Sequence, residues 1–313
     1  MQVDKPFKTH EELIELLKSR GINISTQNDE VYAKNILSKE GYYNIINGYN
    51  KLFLDKTSSE NSYKKGTTLK EIYALYNFDR VLRSIFFKYI LKVESNVKSL
   101  IAYYFPMKYG HANYLVYRNF NTSCKDAQSK ITALISEIQK QISSRASDPS
   151  ISHYLSKYGY IPLWVLTNIL TLGTISKFYS LMNVPERQNV SKAFKVLDTE
   201  LENELLYLSS VRNFCAHGNR LYCYRTKKPL IDTPYHLKLS INKNSNGEYE
   251  YGKRDLFAAM IALRRLLSNN DYNSMSKEIY RAIGVLSRKL AVITKEDVLH
   301  EMGFPNNWRD LRH

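Results

Sequence analysis

Apolar positions recur at three- and four-residue spacing along most of this 313-residue chain, a period that predicts helices rather than strands. Thr9 followed by Glu12 forms a capping box ahead of "ELIELL", and Gly21 closes that helix. "DEVYAKNILSKEGYYNIINGYNKLF" reads as two short helices broken at Gly41 and Gly48. Residues 1–66 therefore form a small helical N-terminal segment, ending in the polar loop "DKTSSENSYKKGTT", and residues 67–313 form the main helical domain. From Thr68, Ile72, Leu75, Leu82, Phe86, Ile90, Val93, Val97, Leu100 and Ile101 make one long stripe ended by Pro106, which predicts a central bundle helix. Ile131, Leu134, Ile135, Ile138 and Ile142 lie on one face of a further amphipathic helix. "IPLWVLTNILTLGTISKFYSLM" starts with a proline in its first turn and contains Gly173, a break or a close-packing point. "TELENELLYLSSVRNFCAHG" is helical through Leu201, Leu205, Leu208, Val211 and Cys215, with Gly218 placed to end it. The helical period lapses between residues 222 and 254, where alternation in "HLKLSI" and the turn "NSNG" predict a β-hairpin or irregular arm. It returns for two final helices, so the fold class is all-α.

Composition narrows the partners. Lys and Arg number 45 against 30 Asp and Glu, a formal net charge of +15 that attracts polyanions, nucleic acid above all. The chain carries 25 tyrosines, which suit base stacking as well as packing with the hydroxyl at a rim. Three cysteines without framework spacing point to a reducing, cytoplasmic setting. No apolar run reaches membrane-spanning length free of charge, and the acidic, helical start is unlike a signal peptide. Cys215, His217 and Cys223 lack a fourth ligand at finger spacing, so no metal is expected. No helix-turn-helix pattern supports a DNA repressor.

The chemistry concentrates in "VRNFCAHGNRL". Arg212 and His217, five residues apart, point about 140° away from each other on an ideal helix, whereas Asn213 and His217 share a face. A histidine in the last turn has its cation favoured by the helix dipole, and an arginine fork suits a phosphate gaining charge. With RNA as substrate the 2′-hydroxyl is the nucleophile, so an arginine and a histidine suffice. The plainer alternative has His217 capping carbonyls while Arg212 pairs with Glu202 or Glu204. Glu94 either pairs with Lys98 one turn on or orients Arg212 from the neighbouring helix.

"RNFCAHGNRLY" resembles the R-x4-H motif of HEPN-superfamily ribonucleases. With "GYYNIINGY", "IYALYNFDRVLRSIFFKYILKVE" and "HYLSKYGYIPLWVLTNILTLGTISKFYSLM" it resembles the signature blocks of Abi-like abortive-infection proteins, the AbiD/AbiF group. The resemblance implies an all-α HEPN-like bundle acting against phage as a metal-independent endoribonuclease, its site formed between two HEPN domains. Arg212 would then bind the scissile phosphate, His217 act as general acid or base and Asn213 orient the pair, leaving 2′,3′-cyclic phosphate and 5′-hydroxyl ends. One motif per chain requires a homodimer. A cognate structured small non-coding RNA that holds the toxin inactive is the implied partner; a non-catalytic RNA-binding regulator is the alternative. Arg220, Arg225, Lys227 and Lys228 follow the motif where RNA would leave the site, and Tyr42, Tyr43 and Tyr49 with Lys51 could form a stacking surface.

Overall fold

The computed structural model describes residues 6–57 and 62–312. The polar loop near residue 60 and the first residues of the chain fall partly outside these bounds. Two short helices open the chain, α1 (His10–Ser19) and α2 (Gln27–Glu40), each started by a reciprocal capping box, Thr9 with Glu12 and Thr26 with Asp29. A single π-helical segment, Tyr43–Asn47, follows Gly41. α3 (Leu69–Tyr109) is the axis of the molecule, a 41-residue helix about 60 Å long. Around it come α4 (Ala127–Ser144), α5 (Pro149–Tyr158), α6 (Leu163–Ile169), α7 (Leu172–Leu181), α8 (Val184–Lys192) and α9 (Asp198–Ala216). The chain ends with α10 (Pro234–Lys238), α11 (Leu256–Leu266), α12 (Asn269–Ser287) and α13 (Lys295–Met302). α3 packs on α6, α8, α9 and α12, and one continuous apolar cluster runs from Ile14 to Leu311. No helix among the described residues is long and apolar enough to cross a membrane.

One local expectation changes, and two stated alternatives are resolved. α3 passes through Pro106 and stops at Gly110, whose φ is +83°. A proline so near the end forfeits a single backbone bond, and Phe105, fully buried against Tyr109, Phe120 and Phe178, holds the last turn in place. The break in "WVLTNILTLGT" falls at Leu170 and Thr171, where Thr171 caps α7. Gly173 is instead a close-packing point, since a Cβ there would stand 3.3 Å from the Ser209 hydroxyl of α9. The arm at 222–254 is irregular rather than a hairpin: its only pairing among the described residues is the bridge Lys243–Tyr249. "HLKLSI" begins in α10 because Thr233 and Pro234 start a helical turn and the buried His236 ring accepts from the Thr233 amide at 3.0 Å.

Candidate functional site

α9 carries the motif to its own C-terminal end. The helix closes in a paired loop: the Gly218 amide donates to the Cys215 carbonyl at 3.2 Å and the Asn219 amide to the Phe214 carbonyl at 3.1 Å. Gly218 makes this turn possible, at φ +70°. His217 is the capping residue, and its imidazole lies exposed with no hydrogen-bond partner among the described residues. Asn213 is exposed on the preceding turn, its carbonyl accepting from the His217 amide at 3.0 Å.

Arg212 points toward α3. Its guanidinium lies over the Phe87 ring, 5.5 Å from the centroid, and Nε is 3.8 Å from Oε2 of the buried Glu94. At that separation the contact is an ion pair without a hydrogen bond, and both atoms are buried and otherwise unpartnered. The other oxygen of Glu94 binds Lys98 at 2.7 Å. Glu94 thus makes both contacts considered for it at once. Glu202 and Glu204, the other carboxylates considered for Arg212, are taken by Arg187 at 2.6 Å and by Arg265.

A cavity of about 430 Å³ opens between α3 and the end of α9, lined by Arg80, Arg83, Ser84, Phe87, Cys215 and Ala216. Cys215 is the buried residue of that lining, and burial pushes its thiol up to about 12, so it is a packing group. No group of three His, Cys, Asp or Glu side chains suited to a metal occurs among the described residues.

The loop after the motif is fastened by a residue that periodicity did not single out. Asp79, fully buried on α3, accepts from the Tyr222 amide at 2.7 Å, the Leu221 amide at 3.2 Å and the Tyr49 hydroxyl at 2.7 Å. Arg83, one turn along, pairs with the same carboxylate and donates to the Asn219 carbonyl at 3.1 Å. Burial raises the Asp79 pKa, opposed by these donors. The only hint in the sequence is "DRVLR", an acid inside an apolar stripe with an arginine four residues on.

The expected RNA-facing residues divide. Arg220 is exposed but donates to the Asn47 and Gly48 carbonyls, both at 3.2 Å, tying the motif loop to the N-terminal segment. Arg225 likewise donates to the Tyr224 and Glu301 carbonyls. Lys51 pairs with Glu301 at 2.7 Å, while Lys227 and Lys228 are exposed without an acidic partner among the described residues. Tyr43 is exposed and Tyr42 is half-buried, its hydroxyl accepting from Arg20 at 3.1 Å. Tyr49 is removed from the surface set: it is buried, stacked on Tyr222 with centroids 5.4 Å apart.

The family model described as Abi-like protein matches residues 35–223, a span that holds α3, the motif and the loop fastened by Asp79. No curated protein and no solved structure matches the chain.

Proposed function

The chain belongs to the Abi-like protein family, and from that premise we propose that it is an abortive-infection endoribonuclease of the HEPN type, working as a homodimer without a metal ion. One observation carries the reading: Arg212 is held beside the α3–α9 cavity by Glu94 and Phe87, one turn before an exposed His217 at the helix end. The buried Arg212 Nε and Glu94 Oε2 lack hydrogen bonds, a condition common where a ligand completes a site.

In the reaction, the 2′-hydroxyl of the RNA attacks the adjacent phosphorus and gives its proton to a base. The bond to O5′ breaks, and that oxygen takes a proton from an acid, leaving a 2′,3′-cyclic phosphate and a 5′-hydroxyl. His217 performs one transfer and its copy in the second protomer the other, Asn213 steadies the ring, and Arg212 neutralises the charge gathering on phosphate. The +15 chain would be kept silent by a small structured RNA.

The test is cleavage of total RNA by protein freed of bound nucleic acid. The expected result is cyclic-phosphate ends from the wild type, and at least a hundredfold slower cleavage by Arg212→Ala or His217→Ala with RNA affinity retained. A wild type that binds RNA and leaves all of it intact would establish the non-catalytic regulator instead.

A further inference from the structure

Far from the motif, around the C-terminal end of α3, six aromatic rings run together on the surface. Trp164 stands 6.1 Å from His111, His111 4.9 Å from Tyr160, and Tyr160 6.4 Å from Tyr158, centroid to centroid. Tyr158 continues to Tyr154 at 5.5 Å and to His153 at 6.1 Å. Such a chain of rings would be ordinary in a core. Here Trp164 is 50% exposed, Tyr158 47% and Tyr160 38%, and both histidines are exposed. None of the three tyrosine hydroxyls has a hydrogen-bond partner among the described residues, so polar tethering does not explain their position.

The segments that carry the rings are rich in base, with Asp148 at the N-cap of α5 as the nearest acid in the chain to the Tyr154–Tyr158 pair. The two segments that supply them, residues 95–125 and 149–185, contain no aspartate or glutamate. They contribute Arg118, Lys125, Lys157 and Lys177, all exposed and without an acidic partner among the described residues. Lys157 lies 5.3 Å above the Tyr158 ring. A protein partner would meet a flat aromatic surface equally well, but the excess of base in these segments, on a chain of net charge +15, favours a polyanion whose own flat groups can stack.

We propose that the Trp164–His111–Tyr160–Tyr158 ladder is a second RNA site, which stacks the bases of a single strand while Lys157, beside Tyr158, meets its phosphates. It rests on the reading that this chain acts on RNA, and extends it by naming the form of RNA: unpaired, because a duplex keeps its base faces to itself. About 33 Å of α3 separates Phe87, beside Arg212, from Tyr109 at the ladder's end, so the ladder holds a strand remote from the site of cleavage.

The chain has two tryptophans, and Trp308 is buried, so Trp308→Phe leaves Trp164 as a single reporter on the ladder itself. The probe is a twelve-nucleotide oligo(U), added to Trp308→Phe,His217→Ala protein so that no cleavage intervenes. The expected result is saturable quenching of Trp164, much weaker quenching by a duplex of equal length, and at least a tenfold loss of affinity on Tyr158→Ala,Tyr160→Ala, restored by Phe at both positions. Oligo(U) binding measured by anisotropy that neither quenches Trp164 nor changes in the ladder variant overturns the proposal and leaves the nuclease reading intact. Self-association in light scattering that the ladder variant abolishes, without quenching by RNA, assigns the rings to a protein contact and also overturns it. Quenching by oligo(U) in a protein whose wild type cleaves nothing keeps the ladder and removes the nuclease.

Discussion

Replacing Asp79 with alanine removes the acceptor on which four donors converge. Arg83 is left as a cation with 12% of its side chain exposed, and the Tyr49 hydroxyl and the amides of Leu221 and Tyr222 lose their buried partner. Breaking a buried ion pair by deleting one member costs about 3–5 kcal/mol. Each orphaned donor adds up to about 1–3 kcal/mol, less where water follows into the vacated space. The expected loss is therefore about 4–6 kcal/mol, read from urea unfolding by circular dichroism at an unchanged m value. The double variant Asp79→Leu,Arg83→Met removes the stranded charge together with its partner and is expected to recover about half of that loss. A loss below about 1 kcal/mol for Asp79→Ala, or a double variant no better than the single one, would show that the carboxylate does not fasten the loop.

Two further outcomes follow from the same structure. Glu94→Gln takes from Arg212 and Lys98 their shared counter-charge, and RNA cleavage is expected to fall at least tenfold in kcat with little change in KM; wild-type kcat would dismiss Glu94 as a positioning residue. Burial lifts Asp255 to about 6 in the folded protein, against about 3.9 unfolded, so the folded state holds the extra proton between these values and stability falls as pH rises from about 4 to 6. Asp255→Asn abolishes this penalty, and the difference in unfolding free energy between variant and wild type is expected to shift by about 2–3 kcal/mol in the variant's favour between pH 4 and pH 7; a difference flat with pH would refute it.

The helical frame was legible because its information is local. Thr9 with Glu12, the Leu201–Cys215 stripe and the glycine at 218 each act within a few residues, and each stands where pattern placed it. Pairings across the fold were not legible in this way. Asp79 interrupts an apolar stripe as any surface acid would, and the amides it binds lie 142 and 143 residues further on. Tyr49 could not be sorted from Tyr42 and Tyr43 because the π-helical turn Tyr43–Asn47 lies between them and shifts the side chains after it off the ordinary helical period. The aromatic ladder escaped for the opposite reason: Tyr154, Tyr158 and Trp164 look like core residues in a linear pattern, and exposure alone distinguishes them.

The fastening of the motif loop also sets a clock. Arg220 must find carbonyls 173 and 172 residues earlier, and Tyr222 must find Asp79. At about 5–20 residues per second of synthesis, the N-terminal segment waits roughly 9–35 seconds on the ribosome before the residues that complete this corner emerge. During that interval the chain holds the residues of its long axial helix and none of the motif. The order of the residues thus divides the corner in time: Asp79, Arg83 and the Asn47 and Gly48 carbonyls are made early, and the loop they fasten joins them only once Tyr222 is in place.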